Sequence, residues 1–412
     1  MTSTVPELRR IAVVMDYSMT TIGGAETAFY EQVSTLGRHY EVTAMACPAP
    51  RLDELGTHQG VTAVPVPIWF RLPLYGLPVT RNTPELTQFF VDTFTRRNVQ
   101  LVHIHSELAM GAAAVLAAEH LGLPVVHTVH TFFWQTAWPI QRLLGWGAPL
   151  YHRFLTGLPN TRALLAPQPG NSAMRNWTLT VAQRVDHVVP PSAHQADRLR
   201  EAGLERITVI PNTHAAPRDA APVTQVDPPL RVVWTGRFIA EKRVLPFLRA
   251  VRSAMDALPA GALRVDLLGH GEHFRKAQRL AKGYPGIVLH GRVPPEEVLR
   301  VLADSQLAAI TSVGWDTQPM VVVEAVNALR GGVVCDPNLR EGLDGPGIPA
   351  YGTDEDLLAQ TLVDLVRHPS RVVAASRACL TAREEFSMDT YLARTNQVYA
   401  EALDHARART TS

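Results

Sequence analysis

Two cations follow an apolar strand pattern in the segment VVWTGRFIAEKRV, residues 232–244. Gly236 ends the apolar run, and Arg237 and Lys242 precede the helical pattern that begins just beyond them. Cations at a helix N-terminus oppose the helix macrodipole, so this position contributes little to stability. The pair can instead neutralise a multiply charged anion such as a diphosphate, because arginine grips phosphate oxygens bidentately and lysine acts as a point charge. The alternative is a solvated loop in which Glu241 pairs locally.

Two acids stand eight positions apart in GWDTQPMVVVEAVNALRGG, residues 314–332. The pattern places Asp316 in the loop after a predicted strand and Glu324 in the first turn of the next helix. Carboxylates at these places can accept hydrogen bonds from neutral hydroxyls, such as those of a sugar and a ribose. An acid pair at this spacing is common by chance, and its value comes from following the Arg/Lys pair along the chain.

A glycine pair follows the first predicted strand in TTIGGAETA, residues 20–28. Gly23 and Gly24 permit close approach of the backbone to a ligand, and the helix predicted from Ala25 would point its amide groups at an anion. A tight strand-to-helix turn explains the pair equally well. The spacing G-x-G-x-x-G, which is typical of dinucleotide binding, is absent.

Four histidines lie in or just after two predicted strands. His103 and His105 alternate on one strand, and His127 and His130 end another. A zinc site and ordinary buried histidines are the two alternatives; the second is commoner, and no acidic ligand stands at a recognisable spacing. No metal ligand is therefore assigned. The Asp-x-Asp sequence at Asp354 is predicted to cap a helix rather than to bind metal.

The elements that must position these residues alternate between β-branched runs and helical patterns. Strands are predicted at residues 11–15, 42–46, 101–105, 124–129, 186–190 and 207–211, and again at 231–235, 263–269, 286–291, 307–312 and 331–335. Such alternation predicts parallel sheets covered by helices on both faces. The Pro- and Ala-rich segment 214–230 is predicted to link two doubly wound domains, residues 1–215 and 216–387, across a cleft. The last helix, within 388–412, is predicted to return to the first domain.

Composition excludes several classes of protein. The 412 residues contain 39 Lys and Arg against 38 Asp and Glu, a balance that gives no basic surface for nucleic acid. The 3 cysteines are far apart and indicate a reducing compartment. No apolar run approaches the roughly 18 residues of a membrane span, and the N-terminal apolar run is too short for a signal peptide. We expect a cytoplasmic protein, with contact at the cytoplasmic face of a membrane left open.

Taken in order, these motifs resemble the retaining glycosyltransferases of glycosyltransferase family 4. The resemblance covers nearly the whole chain and includes GGAE, VHIHSE, VHTVHTF, PPS, VIPN, TGRFIAEKR, LLGHGE and the acid-x7-Glu element. It implies an α/β protein with the GT-B fold, two Rossmann-like doubly wound domains facing across a cleft. It also implies transfer of a sugar from a nucleotide diphosphate sugar, a UDP- or GDP-sugar, with retention at the anomeric carbon and with no cofactor.

The resemblance assigns a role to each matching residue. Residues that would hold the donor diphosphate are Gly23, Gly24, Arg237 and Lys242, with Arg292 as a further donor-binding candidate. Asp316 would contact the donor sugar, Glu324 the ribose, and His130 the sugar near the reacting carbon, with His127 as second choice. Family members usually have Glu where this chain has Asp316, and Phe-Gly where it has Gln318-Pro319. These departures leave the donor sugar open.

The catalytic groups implied are His130, Asp316, Arg237 and Lys242, without a protein nucleophile. Fixed cations would stabilise the leaving diphosphate, so a divalent metal should be dispensable. A GT-B nucleotide-sugar 2-epimerase and a non-catalytic nucleotide-sugar-binding protein remain alternatives.

The sequence indicates less about the residues that would bind the acceptor. The candidates in the first domain are His105, Glu107, His127 and Trp134. The acceptor could be a glycan, a lipid or a small molecule. The segment 132–159 is rich in Trp, Phe and Leu, and predicts either an interfacial membrane element or a core-facing helix pair with a lid.

Overall fold

The computed structural model describes residues 8–20, 23–71, 78–131, 138–214, 217 and 220–411. The strands in this part of the chain are β1 (Arg10–Met15), β2 (Glu41–Ala46), β3 (Val61–Pro65), β4 (Phe70–Arg71), β5 (Pro78–Val79), β6 (Leu101–Ile104), β7 (Val125–Thr128), β8 (His187–Val189), β9 (Leu230–Thr235), β10 (Leu263–Leu268), β11 (Ile287–Gly291), β12 (Leu307–Ile310), β13 (Gly331–Val334) and β14 (Gly347–Pro349). The helices are α1 (Gly24–Leu36), α2 (Pro50–Leu55), α3 (Pro84–Arg96), α4 (Ala109–Leu121), α5 (Gln141–Thr156), α6 (Pro169–Ala182), α7 (Ala193–Glu201), α8 (Val244–Asp256), α9 (Phe274–Ala281), α10 (Pro295–Asp304), α11 (Met320–Asn327), α12 (Glu355–Arg367), α13 (Ser370–Ala382) and α14 (Met388–Thr411).

The chain divides into two compact units. Unit 1 contains residues 1–210 and 391–412, and unit 2 contains residues 211–390. The Pro- and Ala-rich segment belongs to unit 2 and, where it is described, has no helix or strand before β9 begins at Leu230. The backbone amide of Val223 donates to Ser376 Oγ at 2.7 Å, and Arg330 donates to the carbonyl oxygen of Ala221 at 2.8 Å.

Unit 1 is built on a parallel sheet with the strand order β3-β2-β1-β6-β7-β8. Its strands are short apolar runs because helices cover both faces, and side chains of β1 are buried in two separate cores. The strand order reverses between β1 and β6. In open α/β sheets, ligands bind beyond the carboxyl ends of the strands at such a reversal.

Helix α14 completes unit 1 by packing its aromatic side chains against this sheet. The Tyr399 hydroxyl lies 2.8 Å from His103 Nδ1, and Tyr40 donates to Asn396 Oδ1 at 2.5 Å. The last helix thus buries residues of the first sheet although it lies far from them in sequence.

Unit 2 repeats the topology with the strand order β11-β10-β9-β12-β13-β14, and its strand pairs are parallel. The order reverses between β9 and β12, so the loops after these two strands meet at one edge. The loop after β10 approaches the loop after β9 so closely that a side chain at Gly269 would clash with it. A Cβ there would lie 1.9 Å from the carbonyl oxygen of Gly236. Asp354 caps α12 by accepting from the amides of Asp356 and Leu357, as the sequence predicts.

Candidate functional site

The loop after β9 presents the predicted cation pair in unit 2. Lys242 ends a short 3-10 turn, Ala240–Lys242, and its Nζ lies 2.5 Å from Asp316 Oδ1. Ser312 donates a short hydrogen bond to the other oxygen of Asp316. The structure therefore brings together two predicted site residues that are 74 positions apart in sequence, at the point where the strand order reverses.

Two further predicted cations remain available to a ligand. Arg237 and Arg292 are exposed, and within the described ranges neither guanidinium group makes a hydrogen bond or an ion pair. Arg237 shares the loop of Lys242. Arg292 follows the edge strand β11, which is two strand spacings from β9, or about 10 Å. The structure does not group Arg292 with the ion pair.

Asp336 holds the loop that carries Asp316. Its buried carboxylate accepts from the amide of Gly314 at 2.6 Å and from the amide of Asn338 at 2.9 Å. Asp336 follows β13, so it connects the loops of two neighbouring strands. Its role could not be predicted from sequence, because acids after strands are frequent.

Glu324 is half-buried on α11. It is the fifth residue of a helix that begins at Met320, so it lies one turn further along than the sequence predicted. Burial raises the pKa of its carboxyl, and the nearby His214 lowers it in part. Pro319 is the N-cap of α11, and the Gln318 side chain accepts from the amide of Asn212 at 2.6 Å.

The glycine pair of unit 1 stands at a helix start. Gly23 is the N-cap of α1, which begins at Gly24 rather than at the predicted Ala25. A Cβ at Gly23 would lie 2.3 Å from Glu26 Oε2. Because an acid occupies the first turn, this helix start is less favourable for an anion than the glycines alone indicate.

Three histidines of unit 1 form a stack at the carboxyl ends of β6 and β7. The ring of His105 lies 4.9 Å from that of His103 and 5.1 Å from that of His130, and His105 Nδ1 lies 2.8 Å from His130 Nε2. Burial lowers the pKa of His103 to about 3, that of His130 to about 4, and that of His105 well below its usual range. The imidazoles are therefore neutral and can each donate one hydrogen bond and accept another.

His127 is fully buried, and burial lowers its pKa to about 3. Neither of its ring nitrogens has a hydrogen-bond partner in the part of the chain that the structure describes. The described residues contain no group of three or more His, Cys, Asp or Glu side chains placed to hold a metal ion. The fourth acceptor-side candidate, Trp134, lies outside the described residues.

Glu107 is a buried acid next to the histidine stack. Its carboxylate accepts from the Tyr17 hydroxyl at 3.0 Å and from the Thr131 hydroxyl at 2.6 Å. Burial raises the pKa of Glu107 to about 7, against the lowering effect of these hydrogen bonds. Thr131 directly follows His130, so Glu107 fixes the end of the segment that carries His130. Sequence reasoning missed the contributions of Tyr17 and Thr131.

Helix α5 exposes an apolar stripe. Leu143, Trp146, Leu150 and Phe154 follow one another at helical spacing, and Trp146 is 72% exposed. The opposite face is the buried one and packs against α6. A core-facing helix pair, which the sequence left open, therefore does not describe this face of α5. Among the described residues, the helices lack the combination of length and hydropathy needed to cross a membrane.

Comparison with known proteins finds a family match over part of the chain. Residues 22–214 match the family model for Glycosyltransferase Family 4. A GDP-mannose-dependent alpha-mannosyltransferase of Corynebacterium glutamicum is 25% identical over 201 residues, which are 48% of this chain and 41% of that protein. The match thus spans less than half the length of this relative.

Solved structures match both units. Anabaena Alr3699/HepE, crystallised in complex with UDP, has a TM-score of 0.66 and 15% identity over 95% of this chain and 99% of its own. A glycosyltransferase of Rickettsia africae has a TM-score of 0.67 and 14% identity over 96% of this chain and 98% of its own. TarM has a TM-score of 0.68 and 9% identity over 95% of this chain and 99% of its own.

These neighbours and the two doubly wound sheets define a protein with the GT-B fold, as the sequence predicts. The predicted resemblance to glycosyltransferase family 4 is confirmed, through the family model over residues 22–214.

Proposed function

We propose that this protein is a retaining glycosyltransferase that transfers a sugar from a UDP- or GDP-sugar to a glycan, lipid or small-molecule acceptor. The observation that carries the proposal is the Lys242–Asp316 ion pair at the strand reversal of unit 2. Arg237 lies on the same loop, exposed to solvent. This combination offers cations to a diphosphate and a carboxylate to a sugar hydroxyl.

Binding of a nucleotide diphosphate sugar would change the Lys242–Asp316 ion pair. A diphosphate would draw Lys242 away from Asp316, since two negative phosphates attract the ammonium more strongly than one carboxylate does. Asp316 would then be free to accept a hydrogen bond from the donor sugar. Glu324 lies one turn into α11, and by the family resemblance it would contact the ribose.

The transfer step breaks the bond between the anomeric carbon and the leaving phosphate oxygen. The acceptor oxygen bonds to the same face of that carbon, and its proton passes to the leaving phosphate. Arg237 and Lys242 would stabilise the charge that develops on the phosphate, which is the role a divalent metal has in other transferases. In unit 1, His130 is our candidate for the group that contacts the reacting sugar, because its neutral imidazole can donate to a hydroxyl.

The first question for experiment is whether the donor is a UDP-sugar or a GDP-sugar. One relative is GDP-mannose-dependent, and the Anabaena neighbour was crystallised with UDP. We expect one labelled UDP- or GDP-sugar, incubated with the protein and candidate acceptors, to give transfer or slow hydrolysis with the anomeric configuration retained. Excess chelator should change the rate by less than about twofold, because fixed cations replace a metal. Epimerised nucleotide sugar would favour the isomerase, and binding without turnover would favour the non-catalytic alternative.

We further propose that unit 1 contacts an anionic membrane surface through residues 138–156 together with β4. In β4, Phe70 is exposed, and the neighbouring Trp69 packs 6.2 Å from Phe154. Helix α5 carries Arg142 and Arg153 and contains no acid. Aromatic and aliphatic side chains flanked by arginine are typical of helices that lie in the plane of a membrane interface.

Changing Trp146 and Leu150 together to Gln should reduce binding to vesicles containing phosphatidylglycerol by about tenfold or more, since burying each apolar side chain contributes about 1.5–3 kcal/mol. Co-sedimentation measures the bound fraction, and binding of the unmodified protein should weaken with added salt. The matched control changes Leu357 and Leu380 of unit 2, two similarly exposed leucines, to Gln. An equal loss of vesicle binding in the control variant would contradict the proposed surface. So would the absence of vesicle binding by the unmodified protein.

A further inference from the structure

Arg243 adopts a backbone conformation that is uncommon for its residue type. It lies between Lys242 and the first residue of α8, with φ 52° and ψ 34° in the left-handed region. Residues other than glycine, asparagine and aspartate seldom adopt this conformation, and surrounding contacts must maintain it.

The guanidinium of Arg243 donates to three backbone carbonyls on two other loops. The carbonyl oxygens of Thr311, Gly352 and Thr353 lie 3.2, 3.1 and 2.8 Å from its terminal nitrogens. Thr311 follows β12, and Gly352 and Thr353 follow β14. A planar guanidinium suits this task because its donors point in several fixed directions.

Thr311, which accepts from Arg243 through its carbonyl oxygen, also contacts Lys242. Its hydroxyl donates to the carbonyl oxygen of Lys242 at 2.7 Å and accepts from Trp234 Nε1 at 2.9 Å. The next residue, Ser312, donates to Asp316. The two loops are thus joined through backbone contacts around Arg243 as well as through the Lys242–Asp316 ion pair.

We propose that Arg243 is a positioning residue of the donor site, whose guanidinium fixes Lys242 against the loop that carries Asp316. Only the identity of the ligand rests on the proposed function, because the contacts themselves lie within unit 2. Without the guanidinium, the backbone that carries Lys242 would no longer be held against the loops after β12 and β14, and the ammonium would occupy a wider range of positions. Nucleoside diphosphate would then meet a cation that is no longer held in place.

A purely stabilising role for Arg243 can be separated from a positioning role by comparison with Arg330. Arg330 also donates to backbone carbonyls, including those of Ser305 and Ala303, each at 2.6 Å. These residues precede β12, so Arg330 acts at the opposite edge of the same sheet. Arg330→Ala should lower the thermal midpoint of unfolding without changing the environment of Lys242.

The lysine content makes the environment of Lys242 directly measurable. The chain contains only Lys242, Lys276 and Lys282, and the last two are exposed on or beside α9. We expect Arg243→Gly, which keeps the left-handed backbone accessible, to raise the acetylation rate of Lys242 by about threefold or more, because losing hydrogen bonds from a charged donor loosens the loop. Mass spectrometry reads each lysine separately, and the rates at Lys276 and Lys282 should stay unchanged. Should the glycine variant fail to fold, Arg243→Asn, which also tolerates the left-handed region, replaces it.

A ligand measurement completes the test. Calorimetry with UDP or GDP, whichever the unmodified protein binds, should show about tenfold weaker affinity for Arg243→Gly and unchanged affinity for Arg330→Ala. An unchanged acetylation rate at Lys242 would overturn the positioning role, and faster acetylation with unchanged affinity would overturn its link to the donor. If the unmodified protein binds neither nucleotide, the proposed function fails, while the acetylation rates still decide whether Arg243 positions Lys242.

Discussion

Replacing Arg237 and Lys242 together by alanine is expected to weaken nucleoside diphosphate binding by more than about hundredfold. Each cation would donate charge-assisted hydrogen bonds to phosphate oxygens, and such bonds contribute about 1.5–3 kcal/mol apiece. The fold should persist because Arg237 is exposed and Lys242, whose side chain is 25% exposed and pairs with Asp316, lies outside the apolar cores. Calorimetry with UDP and GDP measures the loss.

The matched control for this variant is Arg279→Ala with Lys282→Ala. Both residues are exposed cations at the end of α9 that leads away from the loop after β10, so the control removes the same charge from the same unit. Its affinity should change by less than about twofold at moderate salt, because salt screens exposed charges that do not contact the ligand. Equal weakening in both variants would indicate a general electrostatic effect, and no weakening in either would remove the diphosphate from this loop.

The alternation of strands and helices could be predicted because parallel strands are apolar on both faces and helices carry their own period. From this alternation follows the expectation that residues after strands do chemistry, which selected Lys242 and Asp316. The ion pair itself could not be predicted. Local patterns do not state that β9 and β12 are neighbours, and only that adjacency brings the two side chains within 2.5 Å.

Residues whose roles depend on tertiary contacts could not be predicted from the sequence. Arg243 directly follows a selected residue, yet its three carbonyl partners come from loops about 70 to 110 positions away. The pKa of Glu107 depends on burial that only the assembled sheet provides. Helix α5 has apolar side chains on both faces, and periodicity shows which residues share a face without showing which face meets solvent.

Asp316→Asn is expected to lower kcat by about hundredfold, because a carboxylate that accepts from the donor sugar in the transition state would be lost. The same change should leave the affinity for free nucleoside diphosphate unchanged or raise it. Asp316 is the partner of Lys242 in this structure, so a phosphate must displace it, and asparagine removes that competition. Single-turnover rates with the true donor, together with calorimetry on the free nucleotide, separate the two effects.

Glu324 supplies the contrast for this prediction. Glu324→Gln should weaken the nucleotide by roughly 1–3 kcal/mol through a poorer hydrogen bond to the ribose, with kcat reduced less than by Asp316→Asn. Asp316→Glu adds the methylene that family members usually have, and it should keep more activity than asparagine because the charge remains. If Asp316→Asn turns over like the unmodified protein, Asp316 serves only to hold Lys242, and the contact to the donor sugar must come from another residue. If it instead weakens nucleotide binding as strongly as the Arg237 and Lys242 double variant does, the ion pair is part of the bound state rather than a competitor of the phosphate.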